Sequence, residues 1–191
     1  MTRSMIPISI SIILLLFTSI AIAEVETVDI GPFSTSFEIN TTGQYNISTD
    51  STVCGGDGLY EPAYIDYPLT ISIPGKGEAT IGIGWVDSTV DVNRMNSLYS
   101  TWIQGAQIEN ISIDGKPGII ARRATNIEAF FWPDYANNEA KIRCHISSTL
   151  PWYPETKSLL DTIHIAIPSQ EQRKNLAFLA KQCYIRQTSK N

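Results

Sequence analysis

The stretch that decides the fold is residues 79–124, which reads ATIGIGWVDSTVDVNRMNSLYSTWIQGAQIENISIDGKPGIIARRA. Its first eight residues predict a strand, because Ile81, Ile83 and Trp85 alternate with small or polar residues and so share one face. Gly82 and Gly84 fall on the other face of this strand. Two glycines on one face predict that another element, here the helix that follows, packs closely against the strand.

A helix follows this strand and is marked at both ends. Ser88 or Asp91 is suited to cap its N-terminus, and Gly105 is suited to end it. Between these positions the apolar residues recur at helical spacing on one stripe, which comprises Val92, Met95, Leu98, Tyr99, Trp102 and Ile103. The aromatic residues of this stretch are therefore expected in the core.

Strand patterns surround the helix along the whole chain. Alternating apolar residues at 33–39 and 45–49 predict a β-hairpin, and further strands are predicted at 67–73, at 108–113, after the turn at 114–118, at 127–132 and at 140–146. Helices are predicted at 155–165 and from the capping box Ser169-x-x-Gln172 onward. The inward stripe of the second of these helices is predicted to comprise Leu176, Leu179, Ala180 and Cys183. This order predicts an α+β fold with a largely antiparallel sheet of about eight strands, two internal helices and a C-terminal helix.

The order of elements resembles the Mog1/PsbP-like fold family over about residues 71–167. Three segments carry the resemblance: the helix at 92–103, the strand and turn ISIDGKPG at 111–118, and the sequence SLLDTIHI at 158–165. The resemblance implies a binding or assembly protein without catalytic residues. It assigns no site residue in this chain.

The first 23 residues are typical of a signal peptide. Arg3 provides the positive charge, residues 8–22 form an uncharged apolar run, and Ala21-Ile22-Ala23 fits a cleavage site. Cleavage after Ala23 would leave a secreted or cell-envelope protein with a single domain at 24–168 and a basic amphipathic helix at 169–191. The alternative is an uncleaved N-terminal segment that anchors the protein in a membrane.

Charge is distributed unevenly along the chain. Residues 24–170 contain 8 basic and 18 acidic side chains, whereas residues 171–191 contain five basic and one acidic. The acidic body argues against binding to nucleic acid, which needs clustered Lys and Arg. The basic C-terminal helix is expected either to dock on the acidic body or to make weak contact with a membrane surface.

Three cysteines, Cys54, Cys144 and Cys183, allow one disulfide in an oxidising compartment. Spacing alone does not choose among the three pairings. The pair Cys54–Cys144 is preferred because Cys183 falls in the predicted terminal helix. Glycosylation sequons begin at Asn40, Asn46 and Asn110, and Asn46 is expected to point outward.

No catalytic or metal-binding motif is found. The Gly-x-Ser-x-Gly, Cys-x-x-Cys and His-Glu-x-x-His patterns are absent, so no catalytic residue, metal ligand or cofactor is predicted. His145 shares a strand face with Lys141 and Arg143 and is interpreted as part of a solvated basic stripe. His164 is expected to end a short helix, where a cation is favourable.

The loop after Cys54 is the best candidate for a ligand site, because loops carry function more often than cores. Its glycines, acidic residues and aromatic residues indicate an exposed binding loop, with ligand-binding candidates Asp57, Tyr60, Glu61, Tyr64 and Asp66. The ligand is an unidentified protein or small molecule.

Three functions are compatible with the sequence. The preferred hypothesis is an exported, non-catalytic binding or assembly domain. The alternatives are a peripheral membrane-surface protein and a small exported hydrolase with a carboxylate pair, formed by Asp57 or Glu61 together with Asp134. The discriminating observation is whether an apolar pocket lies beside the loop after Cys54.

Overall fold

The computed structural model describes residues 22–55, 62–103 and 105–188. The strands within these ranges are β1 Ile22–Ile30, β2 Phe33–Thr41, β3 Asn46–Thr49, β4 Val53–Gly55, β5 Tyr64–Ile73, β6 Gly77–Asp91, β7 Gln107–Ile113, β8 Lys116–Arg122, β9 Ile127–Phe131, β10 Glu139–Ser148 and β11 His164–Ile165. The helices are α1 Val92–Trp102, α2 Lys157–Thr162 and α3 Gln170–Thr188, and a π-helical turn, Trp152–Thr156, leads into α2.

The strands form two antiparallel sheets. The larger has the order β3-β5-β6-β10-β9-β8-β7, with β4 also paired to β5, and so contains eight strands. The smaller has the order β1-β2-β11. The predicted α+β class, with a mostly antiparallel sheet of about eight strands and three helices, is therefore confirmed.

Side chains of the longest strand, β6, alternate between the two faces of the large sheet, as the sequence predicts. Ile81, Ile83 and Trp85 are buried in the main core. This core also includes Phe33 and Phe37 of β2 and residues of α2 and α3, so the smaller sheet and these helices cover that face. The opposite face is only partly covered, by α1.

The helix α1 begins and packs as predicted. The carboxylate of Asp91 accepts a hydrogen bond from the backbone N–H of Arg94 at 2.9 Å, which identifies Asp91 as the N-cap. The buried side of the helix forms a second core with Val86, Ile119 and Trp132, and it presents Val92, Met95 and Tyr99. The side chain of Trp102, predicted to belong to the same stripe, lies outside the described part of the chain.

The N-terminal hairpin differs from the prediction. Strand β2 pairs with β1 through a turn at Gly31 (φ 59°), and β3 pairs with β5 instead of β2. The positive φ of Gly31 permits the tight reversal between Ile30 and Phe33. Because β1 begins at Ile22, it includes the last two residues of the predicted signal segment, whereas residues 1–21 lie outside the described ranges.

The predicted helix at 155–165 is shorter in the structure. Helix α2 ends at Thr162, and the chain then extends to form β11, where His164 pairs with Ser36 of β2. The carboxylate of Asp114 accepts hydrogen bonds from His164 Nδ1 at 2.9 Å and from the backbone N–H of Ile165 at 3.3 Å. The expectation that His164 ends a helix is therefore wrong, and its partner is a distant carboxylate.

The C-terminal helix α3 packs against β4, β5 and β6. Its capping box is confirmed, since Ser169 N–H donates to Gln172 Oε1 and Gln172 N–H donates to Ser169 Oγ. Leu176 and Ala180 enter the main core. Neither α3 nor any other helix in the described ranges is long and apolar enough to cross a membrane.

Candidate functional site

A disulfide joins the start of the β4–β5 region to the C-terminal helix. It links Cys54 of β4 to Cys183 of α3, with 5.7 Å between their Cα atoms. The preferred pairing of Cys54 with Cys144 is wrong. Three interstrand spacings separate β4 from β10, or about 14 Å, whereas bridged Cα atoms are rarely more than ~7 Å apart. Cys144 is a free, buried thiol, and burial raises its pKa well above the ordinary value.

An apolar groove of about 520 Å³ lies beside this disulfide. One wall comes from β4, β5 and the residue before β4, and the other from α3; the lining residues are Thr52, Cys54, Ile65, Phe178, Leu179, Gln182 and Cys183. Phe178 is 63% exposed and Leu179 is 43% exposed. This is the apolar pocket that the small-ligand hypothesis requires, and we call it the β4–α3 groove.

The predicted ligand residues are divided between two places. Tyr64 and Asp66 lie on β5 and not in a loop, so the interpretation of them as loop residues is wrong. Asp57, Tyr60 and Glu61 lie outside the described residues. The apolar wall of the groove is not predicted by the sequence pattern, because no motif marks Phe178 and helical periodicity places Leu179 on the inward stripe.

Asp66 is on the opposite face of the sheet from the groove and is tied to Arg143. The guanidinium donates from Nε to Asp66 Oδ1 at 3.1 Å and from Nη2 to Oδ2 at 2.5 Å, a bidentate arrangement. The guanidinium also lies over the ring of Tyr64, 3.3 Å from its centroid. Both charged side chains are nearly buried, at 13% and 11% exposed. The predicted solvated basic stripe on β10 is thus wrong.

His145 is paired on the same face with Glu128 of β9. Its Nε2 lies 2.6 Å from Glu128 Oε2, and the imidazole stacks on Phe130 at 4.3 Å between ring centroids. Ser147 Oγ donates to the other carboxylate oxygen of Glu128 at 3.0 Å. In a catalytic triad that relays a proton, the hydroxyl is hydrogen-bonded to the imidazole and the imidazole is hydrogen-bonded to the acid. Here the hydroxyl and the imidazole both contact the acid, so these three side chains do not form such a relay.

The surroundings of Glu128 alter its acidity. Burial raises the pKa of this carboxyl, but hydrogen bonds and charge from His145, with hydrogen bonds from Ser147 and Asn126, outweigh burial and lower it. A carboxyl whose pKa is lower in the folded state stabilises the fold above its unfolded pKa. That stabilisation is lost as the pH falls through the folded pKa.

Replacing Glu128 by Gln is therefore expected to reduce the free energy of unfolding at pH 7 by about 1.5–3 kcal/mol, the range for a hydrogen bond to a charged group. The difference from the wild type should be smaller at pH 3 than at pH 7, because the lowered pKa of Glu128 means that its stabilisation is lost as the pH falls through the folded pKa. Urea denaturation at the two pH values measures this. Glu109→Gln is the matched control, because Glu109 is half exposed and pairs with Arg122 at the surface. A gap that is the same at both pH values would contradict the assignment.

Asp134, a candidate in the carboxylate-pair hypothesis, has a structural role. Its Oδ1 accepts from the backbone N–H of Ile142 at 2.8 Å, and both oxygens accept from the N–H of Lys141 at 3.1 Å. Burial raises the pKa of Asp134, while these backbone N–H groups act in the opposite direction. Within the described ranges, no three His, Cys, Asp or Glu side chains cluster in a way that could hold a metal ion.

The sequons differ in their exposure. Asn46 of β3 and Asn110 of β7 are exposed, and the outward orientation predicted for Asn46 is confirmed. Asn40 of β2 is half-buried, and its side-chain oxygen is buried without a hydrogen-bond partner. The exposed pair would accommodate a modification more readily than Asn40.

The site is described from this chain's own residues. No protein-family model, curated protein or solved structure matches the chain. The β4–α3 groove and the paired charges on the other face are therefore distinguished by their geometry alone. The groove combines a concave shape with exposed apolar side chains, Phe178 and Leu179, on one wall.

Proposed function

We propose that this protein is an exported, non-catalytic binding domain with a Mog1/PsbP-like fold, and that it holds an apolar ligand in the β4–α3 groove. The observation that carries the proposal is the exposure of Phe178, at 63%, on the wall of a groove of about 520 Å³. Small-molecule sites commonly fall between about 300 and 1,000 Å³ and are lined mainly by apolar side chains.

The disulfide gives the groove fixed walls. Cys54 holds β4 against α3, and Leu176 and Ala180 anchor the same helix in the core. The helix consequently presents Phe178 and Leu179 toward solvent without being free to turn them inward. Walls that are ordered before binding reduce the entropy lost when a ligand is held.

The catalytic alternative has less support than binding. The polar groups on the other sheet face are already paired, Asp66 with Arg143 and Glu128 with His145. Asp134 is occupied by backbone N–H groups. A hydrolase would require two carboxyls facing one cleft with separated pKa values. The groove contains no carboxylate among its described lining residues.

An uncharged fluorescent probe, N-phenyl-1-naphthylamine, tests the groove. We expect it to bind the wild-type protein with increased emission, and Phe178→Ser to weaken this binding by about fivefold or more, as loss of an aromatic contact implies. Ile185→Ser is the matched control, because Ile185 is a similarly exposed apolar residue of α3 that does not line the groove.

Two outcomes would refute the proposed site. One is a wild-type protein that does not bind the probe. The other is equal weakening by Phe178→Ser and Ile185→Ser, which would indicate adsorption to any exposed apolar side chain. Circular dichroism spectra of both variants should match the wild type, since neither side chain is buried.

A further inference from the structure

We propose that the outward stripe of α3 docks on an anionic lipid bilayer and so brings the β4–α3 groove to the lipid surface. The stripe consists of Lys174, Phe178, Lys181 and Ile185, all of which are exposed. This inference rests on the proposed function for the groove. It adds the source of the apolar ligand, which is the bilayer itself.

The spacing of the four residues places them on one line along the helix. Steps of four, three and four residues stay on the same side of an α-helix. The core side of α3 is elsewhere, at Leu176 and Ala180. The side of α3 away from the core therefore exposes basic and large apolar side chains together.

That mixed character fits a bilayer interface. Apolar side chains such as Phe178 and Ile185 enter the boundary between headgroups and acyl chains, and lysines extend along them to place their charge among anionic headgroups. Lys174 and Lys181 make no ion pair with the described residues, so both ammonium groups are available.

Charge complementarity is local to the helix. Residues 170–188 contain four basic side chains and one acidic, a net of +3, while residues 24–170 have a net of −10. Screening limits charge interactions to about 8 Å at physiological ionic strength. The charge of the helix surface, and not the net charge of residues 24–170, therefore determines the attraction to an anionic bilayer at contact.

The β4–α3 groove lies next to the proposed membrane-docking stripe. Phe178 belongs both to the stripe and to the groove wall. A bilayer held against the stripe would consequently have acyl chains at the entrance of the groove. The lysines lie on the side of Phe178 away from Leu179 and Cys183, which suits an anionic head outside the groove and an apolar chain inside it.

Vesicle co-sedimentation of the intact chain tests the inference. We expect binding to vesicles of phosphatidylglycerol and phosphatidylcholine, weakened by salt, and little binding to vesicles of phosphatidylcholine alone. Lys174→Gln with Lys181→Gln should reduce partitioning by about thirtyfold, from the contribution of two lysines near an anionic surface. The matched control is Arg94→Gln with Lys157→Gln, which removes the same charge from α1 and α2.

The outcomes separate this inference from the proposed function. Failure to bind anionic vesicles, equal binding to both vesicle types, or an equal effect of the control pair would each overturn membrane docking. If the naphthylamine probe still binds in those cases, the groove remains a ligand site. Ile185→Ser should weaken vesicle binding but leave probe binding unchanged, whereas Phe178→Ser should weaken both.

Discussion

Replacing Asp66 by Ala is expected to reduce the free energy of unfolding by about 3–5 kcal/mol, the loss typical of breaking a buried ion pair from one side. Arg143 would keep its charge at a site where its side chain is only 11% exposed. Its Nε and Nη2 would both lose their acceptor. Urea denaturation of the wild type and the variant at pH 7 measures the loss.

A double-mutant cycle distinguishes the pair from general damage. Arg143→Met combined with Asp66→Ala should be less destabilised than Asp66→Ala alone, because no uncompensated charge remains. Asp161→Ala is the control, since Asp161 is 51% exposed and pairs with Lys157 within one helix. Its loss should be below about 1 kcal/mol. If Asp66→Ala lowers the free energy of unfolding no more than this control does, the ion pair between Asp66 and Arg143 does not stabilise the fold as proposed.

Gly84 shows why this pair was not predicted. Two glycines on one strand face predict close packing by the helix that follows, but only Gly84 is closely packed and its neighbour is not the helix. A Cβ atom at Gly84 would lie 1.6 Å from Asp66 Oδ1, so this glycine makes room for a charged side chain from β5. At Gly82 the nearest atom would be the carbonyl oxygen of His145, at 3.7 Å. The identity of a strand's neighbour depends on pairing between distant segments, which local pattern does not contain.

The same limit explains the other differences. The faces of β6, the cap at Asp91 and the capping box at Ser169 were predictable because each depends on residues within one element. The pairing of β2 with β1 was not predictable, because the first two residues of β1 belong to the predicted signal segment. The groove was not predictable either, because its walls are separated by more than a hundred residues and meet only through tertiary packing.

The groove residues also show the limit of helical periodicity. Leu179 sits near Leu176 and Ala180 in the sequence and was assigned to the same inward stripe. Of these three residues, Leu176 and Ala180 are buried and Leu179 is exposed. The disulfide at Cys183 and the narrow contact with β5 and β6 fix how α3 is rotated. Rotation about the helix axis is thus set by partners rather than by the apolar pattern alone.

Replacing both Cys54 and Cys183 by Ser is expected to reduce the free energy of unfolding by about 2–4 kcal/mol. The two residues are 129 positions apart, so the crosslink restricts much of the unfolded chain. The double variant should also lose affinity for the naphthylamine probe, because the helix wall of the groove would no longer be tied to β4. Urea denaturation and probe titration on the same preparation measure the two effects.

Reductant provides the matching control for this last prediction. Dithiothreitol should lower the stability of the wild type to that of the double variant, and it should have no further effect on the variant. Cys144→Ala should keep its response to dithiothreitol, because Cys144 is a free thiol in the core. A wild type that is insensitive to reductant would contradict the pairing. A reduced protein that binds the probe as tightly as the oxidised one would instead show that packing of Leu176 and Ala180 suffices to hold the groove open.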